Sequence, residues 1–218
     1  MPDDGELFTD GGDTVRHSLA LDDGGCPHIT FHQRHPEDGS RLFYARWDGD
    51  SWHKEVVTRE AANGYEHSLA IDSDGNPSVA HEAENSDALM YSRRTGVDQW
   101  ETEEVDDIHP WDIEQITSAD GQPAIAVVSA SQRSVLSDPK LLYFHRDAGD
   151  WNRQEVFAID ETLNLDDTPA FDDEGRLHLG MAAGQSAEGV FYGRRAESGS
   201  WDKDHMELEE RDIAHCTL

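Results

Sequence analysis

The chain has 218 residues, of which 36% are hydrophobic, and its 47 acidic and 17 basic side chains give a formal net charge of −30. This balance argues against nucleic-acid binding, because a phosphate backbone needs a basic stripe and the sequence shows none. A helical membrane span is excluded as well, since no run approaches the roughly 18 apolar residues that a span requires.

The predicted elements follow a repeat of about 50 residues, a period typical of propeller blades and similar arrays. A short strand at residues 6–9 (ELFT) comes first, and residues 212–218 hold the start of a further copy. Between them the pattern predicts four full units, each of four short strands a to d, within a single domain spanning 1–218: residues 17–58, 67–106, 112–158 and 165–208.

Each unit carries the same elements in the same order. In unit 2, HSLAIDSDGNPSVAHE gives strand a, a turn and strand b, LMYSR gives strand c, and a glycine-containing turn with Trp100 leads into strand d. The strands have 5 to 7 residues rich in Val, Ile, Tyr and Phe, and no sustained 3.6-residue stripe occurs. Strand c is apolar on both faces, so we expect its sheet to be covered on both sides, as in radially packed blades.

The unit SLAxDxxGxPxxA…LxYxR…G…W…EV resembles the bacterial and archaeal β-propeller repeats related to Asp-box (sialidase-like) and lectin propellers. The resemblance implies an all-β propeller of four full four-stranded blades. The turn between strands c and d departs from an Asp-box, since ARWDGDSW at 45–52 lacks the Ser and the Asp at their positions. Sialidase-like chemistry is weakened accordingly.

The terminal strands leave three arrangements open. They could form a partial fifth blade that closes the ring, cap a four-bladed ring, or pair with another subunit. Closure matters because open sheet edges invite aggregation. We favour closure within one chain.

The turn between strands a and b looks at first like half of a calcium loop, as in Asp72 to Gly75 (DSDG). Asp and Gly are also what a tight hairpin requires, and no carboxylates follow at the spacing of a calcium-binding loop. We therefore interpret this stretch as a turn and expect no cofactor. Cys26 and Cys216 match no metal motif, and the sequence leaves their pairing open.

Two kinds of position could carry function. The Tyr and Trp residues that recur at the same position of every unit indicate packing, with stacking of one sugar per blade as the alternative. A second recurrent position, held by Arg46, Arg93, His145 and Arg194, indicates ion pairs. The variable connections b–c and d–a share one face and hold the less regular residues, which could furnish an aromatic and polar binding face. The binding-face candidates are Trp111, Tyr65, Trp47, His109, Arg34, His35, Arg133, His81 and Glu82.

Metal binding and catalysis find less support in the residues. His17, His67 and His215 recur on strand a and could converge with His81 on a transition metal, but inward histidines favour a structural role. A glycosidase needs two carboxylates about 5 to 10 Å apart. Among 47 acidic residues some pair will meet that distance, so this criterion does not identify a glycosidase. No Ser-His-Asp signature, phosphate loop or HExxH motif appears.

The prediction is a non-catalytic recognition or assembly propeller. Only three of the 17 basic residues are lysines, and the acidic balance resembles that of proteins from salt-accumulating halophiles. Molar salt screens the self-repulsion that such a charge causes. The N-terminus MPDDGELFTD has no signal-peptide pattern. We therefore expect a cytoplasmic or virion-surface protein of a high-salt organism, with protein partners in an assembly such as a haloarchaeal virus particle. The alternatives are a carbohydrate-binding lectin, with glycan as the partner, and a sialidase-like glycoside hydrolase.

Overall fold

The fold was analysed in a computed structural model, which describes residues 17–35, 39–58, 66–83, 88–118, 120–130, 139–158, 163–164, 169–183 and 189–207. These residues form strands and turns and include no helix, so none offers the length and hydropathy of a membrane span. The strands are β1 (His17–Leu21), β2 (Pro27–His35), β3 (Gly39–Trp47), β4 (Trp52–Thr58), β5 (His67–Ile71), β6 (Pro77–Glu82), β7 (Leu89–Gly96), β8 (Gln99–Asp106), β9 (His109–Thr117), β10 (Pro123–Ala130), β11 (Lys140–Asp147), β12 (Asp150–Ala158), β13 (Leu163–Asn164), β14 (Ala170–Phe171), β15 (Leu177–Ala183), β16 (Gly189–Arg195) and β17 (Trp201–Glu207).

The strands form four antiparallel sheets, each made of neighbours in sequence. Sheet 1 has the order β1-β2-β3-β4, sheet 2 the order β5-β6-β7-β8, and sheet 3 the order β9-β10-β11-β12. In sheet 4 the order is β13-β15-β16-β17, and β14 also pairs with β15. The all-β prediction and its four-stranded repeat are confirmed, while the expected closing strands at 6–9 and 212–218 lie outside the described residues.

Aspartate and glycine shape the turns between the first two strands of each sheet. In sheet 2, Asp72 Oδ1 accepts hydrogen bonds from the backbone N–H groups of Asp74 (3.0 Å) and Asn76 (2.7 Å). Gly75 has φ = 80°, a conformation that a side chain disfavours. The carboxylate is thus occupied by its own turn, and the described residues contain no group of three or more His, Cys, Asp or Glu that could hold a metal ion.

The chain divides into two compact units, residues 1–107 and 108–218. Sheets 1 and 2 lie in unit 1, and sheets 3 and 4 lie in unit 2. The expectation of one domain spanning 1–218 stays a prediction.

The core of unit 1 lies between its two sheets. Leu42, Tyr44 and Val57 of sheet 1 pack against Leu69 and Val79 of sheet 2, and all five are buried. A β-bulge adds one residue to this core. The register of β3 and β4 shifts between Leu42 and Phe43, which leaves Val57 as the extra residue of β4. Complete burial of one such aliphatic side chain contributes about 1.5–3 kcal/mol.

Unit 2 repeats this construction with different residues. Leu141, Tyr143 and Val156 of sheet 3 pack against Leu177, Leu179 and Met181 of sheet 4. The register of β11 and β12 shifts at the equivalent place, between Leu141 and Leu142. Each unit therefore buries the Tyr-bearing face of one sheet against the first strands of the next.

Candidate functional site

A Tyr–Trp contact marks the same place in both units. In unit 1 the rings of Tyr44 and Trp100 lie edge to face with centroids 5.3 Å apart, and in unit 2 Tyr143 and Trp201 do so at 5.5 Å. In each pair the tyrosine comes from the third strand of one sheet and the tryptophan from the fourth strand of the next. The Tyr and Trp columns therefore pack between sheets here.

In unit 1 an ion pair occupies the polar end of this contact. Glu55 on β4 accepts hydrogen bonds from Arg94 Nε (2.9 Å) and Nη2 (2.6 Å) and from Trp100 Nε1 (3.2 Å). Glu55 is 7% exposed, and its hydrogen bond raises the pKa of Arg94. A bidentate pair of this kind satisfies both charged groups. Both carboxylate oxygens of Glu55 and two nitrogens of Arg94 are thus used inside unit 1.

In unit 2 a glutamine replaces that glutamate. Gln154 pairs with Tyr143 in the strand register as Glu55 pairs with Tyr44, and its Oε1 accepts the bond from Trp201 Nε1 at 3.2 Å. Without a carboxylate at this position, Arg195 takes a different arrangement from Arg94. Its guanidinium carbon lies 5.4 Å from the centroid of the Tyr143 ring, a cation–π contact.

His145 completes the surroundings of Arg195. Its ring stacks on Tyr143 with centroids 5.1 Å apart, and its Nε2 lies 3.4 Å from Arg195 Nη2. Burial lowers the pKa of His145, and the charge of Arg195 lowers it further. The neutral ring can then accept the Arg195 N–H. The buried Nε of Arg195 has no hydrogen-bond partner in the described part of the chain.

Tyr143 and Arg195 border a cleft of about 110 Å³ in unit 2, which we call the Arg195 cleft. Phe171 supplies partly exposed apolar surface over the buried Tyr143 and Leu177, and Arg195, Glu174 and Glu197 also line the cleft. Glu174 forms an ion pair with Arg176 and is 68% exposed. The cleft thus offers an aromatic wall, a cationic donor and carboxylate acceptors, and its volume suits part of one small polar molecule.

The sequence matches no protein-family model and no curated protein, but several solved structures share the fold. A six-bladed β-propeller lectin from Aleuria aurantia is 13% identical with a TM-score of 0.59, and the match covers 89% of this chain and 61% of that one. An α-L-arabinanase from Penicillium chrysogenum is 12% identical with a TM-score of 0.61, over 88% of this chain and 66% of that one. A Hadza microbial sialidase is 13% identical with a TM-score of 0.55, over 88% and 49%.

The fold is a β-propeller. At these identities the likeness shows the fold alone. The propeller chain spans about 60% of the length of the fungal lectin.

The predicted binding-face candidates occupy different places in the propeller sheets. Arg34 and His35 lie where β2 ends, His81 and Glu82 where β6 ends, and His109 and Trp111 where β9 begins. Trp47 lies at the opposite end of sheet 1 from Arg34 and His35, beside the β3–β4 turn, with its ring 5.6 Å from that of Trp52. The structure therefore does not bring Trp47 together with Arg34 and His35. Tyr65 and Arg133 lie outside the described residues.

His81 is a buried structural residue. Its Nδ1 donates to the carbonyl of Glu82 (3.1 Å), and its Nε2 accepts from the hydroxyl of Ser92 (2.9 Å). Burial lowers the pKa of His81 to about 4, so the ring is neutral at physiological pH. The metal interpretation gains no support from this geometry, and His215 lies outside the described residues.

Two histidines that the sequence analysis did not single out tie turns to strands. Tyr44 donates its hydroxyl proton to His28 Nδ1 (2.6 Å), and His28 Nε2 donates to Asp22 at 3.4 Å. Tyr192, His178 and Asp172 repeat the arrangement at 2.7 and 3.0 Å. Burial raises the pKa of Tyr44 to about 12 and lowers the pKa of His28. Both trios hold a turn carboxylate against the third strand of its sheet.

The Arg195 cleft was also missed, for an identifiable reason. The repeat draws attention to the basic column containing Arg93 and Arg194, which forms exposed ion pairs with Glu101 (3.1 Å) and Asp202 (2.8 Å). The next residue along the same strand, Arg94 or Arg195, points to the adjoining sheet. A column of Trp47, Arg94, Arg146 and Arg195, set against Glu55 and Gln154, was the available signal.

Proposed function

We propose that this protein is a non-catalytic, glycan-binding β-propeller whose binding site is the Arg195 cleft. The observation that carries the proposal is the glutamine at position 154. The unit 1 carboxylate that neutralises Arg94 has no equivalent beside Arg195, so this guanidinium remains available to donate hydrogen bonds to a ligand.

The chemistry of the cleft suits a sugar. A sugar ring has an apolar face that packs on aromatic side chains, here the partly exposed Phe171, while Tyr143 and Leu177 form the buried floor of the cleft. The hydroxyl groups of the sugar both accept and donate hydrogen bonds, which Arg195, Glu174 and Glu197 of the cleft lining can satisfy. The lectin from Aleuria aurantia, a protein with fucose recognition, supports the same class of ligand.

A binding role is favoured over catalysis by the two carboxylates of the cleft. A glycosidase general acid sits in an apolar pocket that keeps it protonated. Glu174 and Glu197 are exposed, and Glu174 already pairs with Arg176. Some propellers of similar fold are enzymes, among them the sialidase and the arabinanase, so a test of function must also measure turnover.

The setting and assembly of the propeller also belong to this proposal. The charge of −30 supports a protein that works in concentrated salt, because molar salt reduces the Debye length to about 3 Å and screens self-repulsion. A role as a recognition subunit of a larger assembly, such as a haloarchaeal virus particle, is compatible with glycan binding.

The test is a glycan array with the full chain in 2–3 M NaCl (roughly the range in which repulsion is screened), followed by calorimetric titration with the best ligand. We expect binding to fall at least about tenfold in Arg195→Ala, the size of one lost charge-assisted hydrogen bond. Gln154→Glu should abolish binding as well. It gives Arg195 the kind of ion pair that Glu55 forms with Arg94, which closes the cleft while the fold is retained.

Arg194→Ala is the matched control, since Arg194 neighbours Arg195 but pairs with Asp202 at the surface. It should bind like the wild type. The proposal is wrong if the array is blank, or if Gln154→Glu binds as well as the wild type. Hydrolysis of an aryl glycoside that disappears in Glu197→Gln would replace it with the enzyme interpretation.

A further inference from the structure

Sheet 1 exposes an apolar face on its first strand. The residues of β1 alternate in burial, with Ser18 and Ala20 partly covered and Leu19 and Leu21 exposed by 60% and 61%. Trp47 and Trp52 belong to the same face of this sheet at its turn end. We call Leu19, Leu21, Trp47 and Trp52 the leading face.

The repeat shows what such a face normally does. Leu69 and Ile71 of sheet 2 stand where Leu19 and Leu21 stand in sheet 1, and they pack on Leu42, Tyr44 and Val57 of the preceding sheet. Trp100 stands where Trp52 stands and contacts Tyr44. The leading face of sheet 1 is therefore built to pack on a Tyr-bearing face.

Sheet 4 presents a Tyr-bearing face of this kind. Its VFYGR segment aligns with LFYAR of sheet 1, so Val190 and Tyr192 correspond to Leu42 and Tyr44. Met206 pairs with Val190 in the register and Asp204 pairs with Tyr192. Met206 is 62% exposed in the single chain. We call Val190, Tyr192, Asp204 and Met206 the trailing face.

The two faces also match in their polar groups. Asp204 holds the register position of Glu55, which accepts the indole N–H of Trp100 in unit 1. In sheet 1, Trp52 would donate the equivalent bond, and Trp47 replaces the arginine found at positions 94 and 195. The contact formed by these faces would be aromatic, without the arginine found at the equivalent inter-sheet contact of each unit.

We propose that the leading face of one chain docks on the trailing face of a second copy, head to tail. The faces reproduce the two halves of a packing interface that the chain already forms inside unit 1, and Leu19 and Leu21 of one face and Met206 of the other are exposed by 60–62% in one chain. Strand β1 carries no carboxylate, so this edge of a strongly acidic chain allows a second copy to approach. A heterologous contact of this type builds a closed ring or an open filament.

The experiment measures the mass of the full chain by sedimentation velocity across a concentration series in 2–3 M NaCl, roughly the range in which repulsion is screened. We expect the wild type to associate above its 24.4 kDa monomer as concentration rises. Leu19→Glu and Met206→Glu should each weaken association at least about tenfold, the effect of one interface hot spot. Val97→Glu, which alters an equally apolar side chain exposed by 74% on the β7–β8 turn, should not.

Pairing of the two faces is tested by cross-linking. In a background with Cys26 and Cys216 replaced by serine, an equal mixture of Leu19→Cys and Met206→Cys chains should form mixed disulfide dimers, and each variant alone should form few. A monomer at every concentration overturns the proposal, and so does association that Leu19→Glu and Met206→Glu leave unchanged. The outcome is independent of glycan binding.

Discussion

The Glu55–Arg94 pair predicts a large stability cost for a single substitution in unit 1. Glu55→Ala removes a nearly buried carboxylate that accepts two hydrogen bonds from the Arg94 guanidinium and one from the Trp100 indole. It leaves a charged group and an indole N–H between two packed sheets without their acceptor.

The magnitude follows from the number of bonds and the exposure of the arginine. Hydrogen bonds to charged groups contribute about 1.5–3 kcal/mol each, and breaking a buried pair costs about 3–5 kcal/mol. Arg94 is 23% exposed and can recover some hydration, so we expect Glu55→Ala to lower the free energy of unfolding by about 3 kcal/mol. Glu55→Gln keeps the acceptor for Trp100, as Gln154 does for Trp201, and should cost about 1–2 kcal/mol.

Urea unfolding followed by circular dichroism measures these differences, and Glu101→Ala is the control. Glu101 pairs with Arg93 on the same sheet, but both side chains are more than half exposed, so its loss should change stability by less than about 0.5 kcal/mol. In a double-mutant cycle with Arg94→Met, Glu55 and Arg94 should couple by about 2 kcal/mol. Equal costs for Glu55→Ala and Glu101→Ala would refute the reasoning, because the Glu55 pair is buried and makes more hydrogen bonds than the exposed Glu101 pair.

Two further predictions concern His81 and Gly75. The pKa of His81 falls from its ordinary 6.5 to about 4 on folding, so the unfolded chain binds the extra proton between these values and stability is lost as pH drops from 6.5 towards 4. Urea titrations should show that His81 alone accounts for about 2 kcal/mol of stability loss between pH 7.5 and pH 5. His81→Val, which introduces the residue that sheet 3 has at this position, should remove this loss of about 2 kcal/mol. An unchanged pH slope in His81→Val would contradict the prediction. Gly75→Ala should lower the free energy of unfolding by about 1–2 kcal/mol, because Gly75 has φ = 80°. An added Cβ meets nothing within 4 Å, so the backbone conformation accounts for the whole cost. Thermal unfolding with Ser73→Ala as the control measures this, and a neutral Gly75→Ala contradicts it.

Much of the fold was predictable because each sheet is assembled from neighbours in sequence. The Asp-Gly turns, the strand lengths and the apolar third strand are all local patterns, and together they predicted four antiparallel four-stranded sheets. The interpretation of Asp72 to Gly75 as a turn rested on the same local chemistry, and the carboxylate of Asp72 does bond to its own turn.

The candidate site was less predictable because it depends on contacts between sheets. Arg94 and Glu55 are 39 positions apart, and Arg195 lies 50 positions from His145. Which residue of a strand faces the next sheet depends on register, and one bulge in β4 or β12 changes the answer for every residue beyond it. The sequence prediction chose variable connections, whereas the Arg195 cleft is built from repeat positions beside the turns.

The amino-acid sequence by itself determined the repeat, the hairpins and the acidic surface, since these depend on residue type and on spacing within about ten positions. Tertiary structure alone decided that Glu55 pairs with Arg94 in one inter-sheet contact, while Gln154 bonds Trp201 in its counterpart and Arg195 lies on the Tyr143 ring. The physical reason is that the two residues differ by one ionisable oxygen in columns that otherwise look alike. That difference affects the structure only where a guanidinium from the adjoining sheet comes within hydrogen-bonding distance.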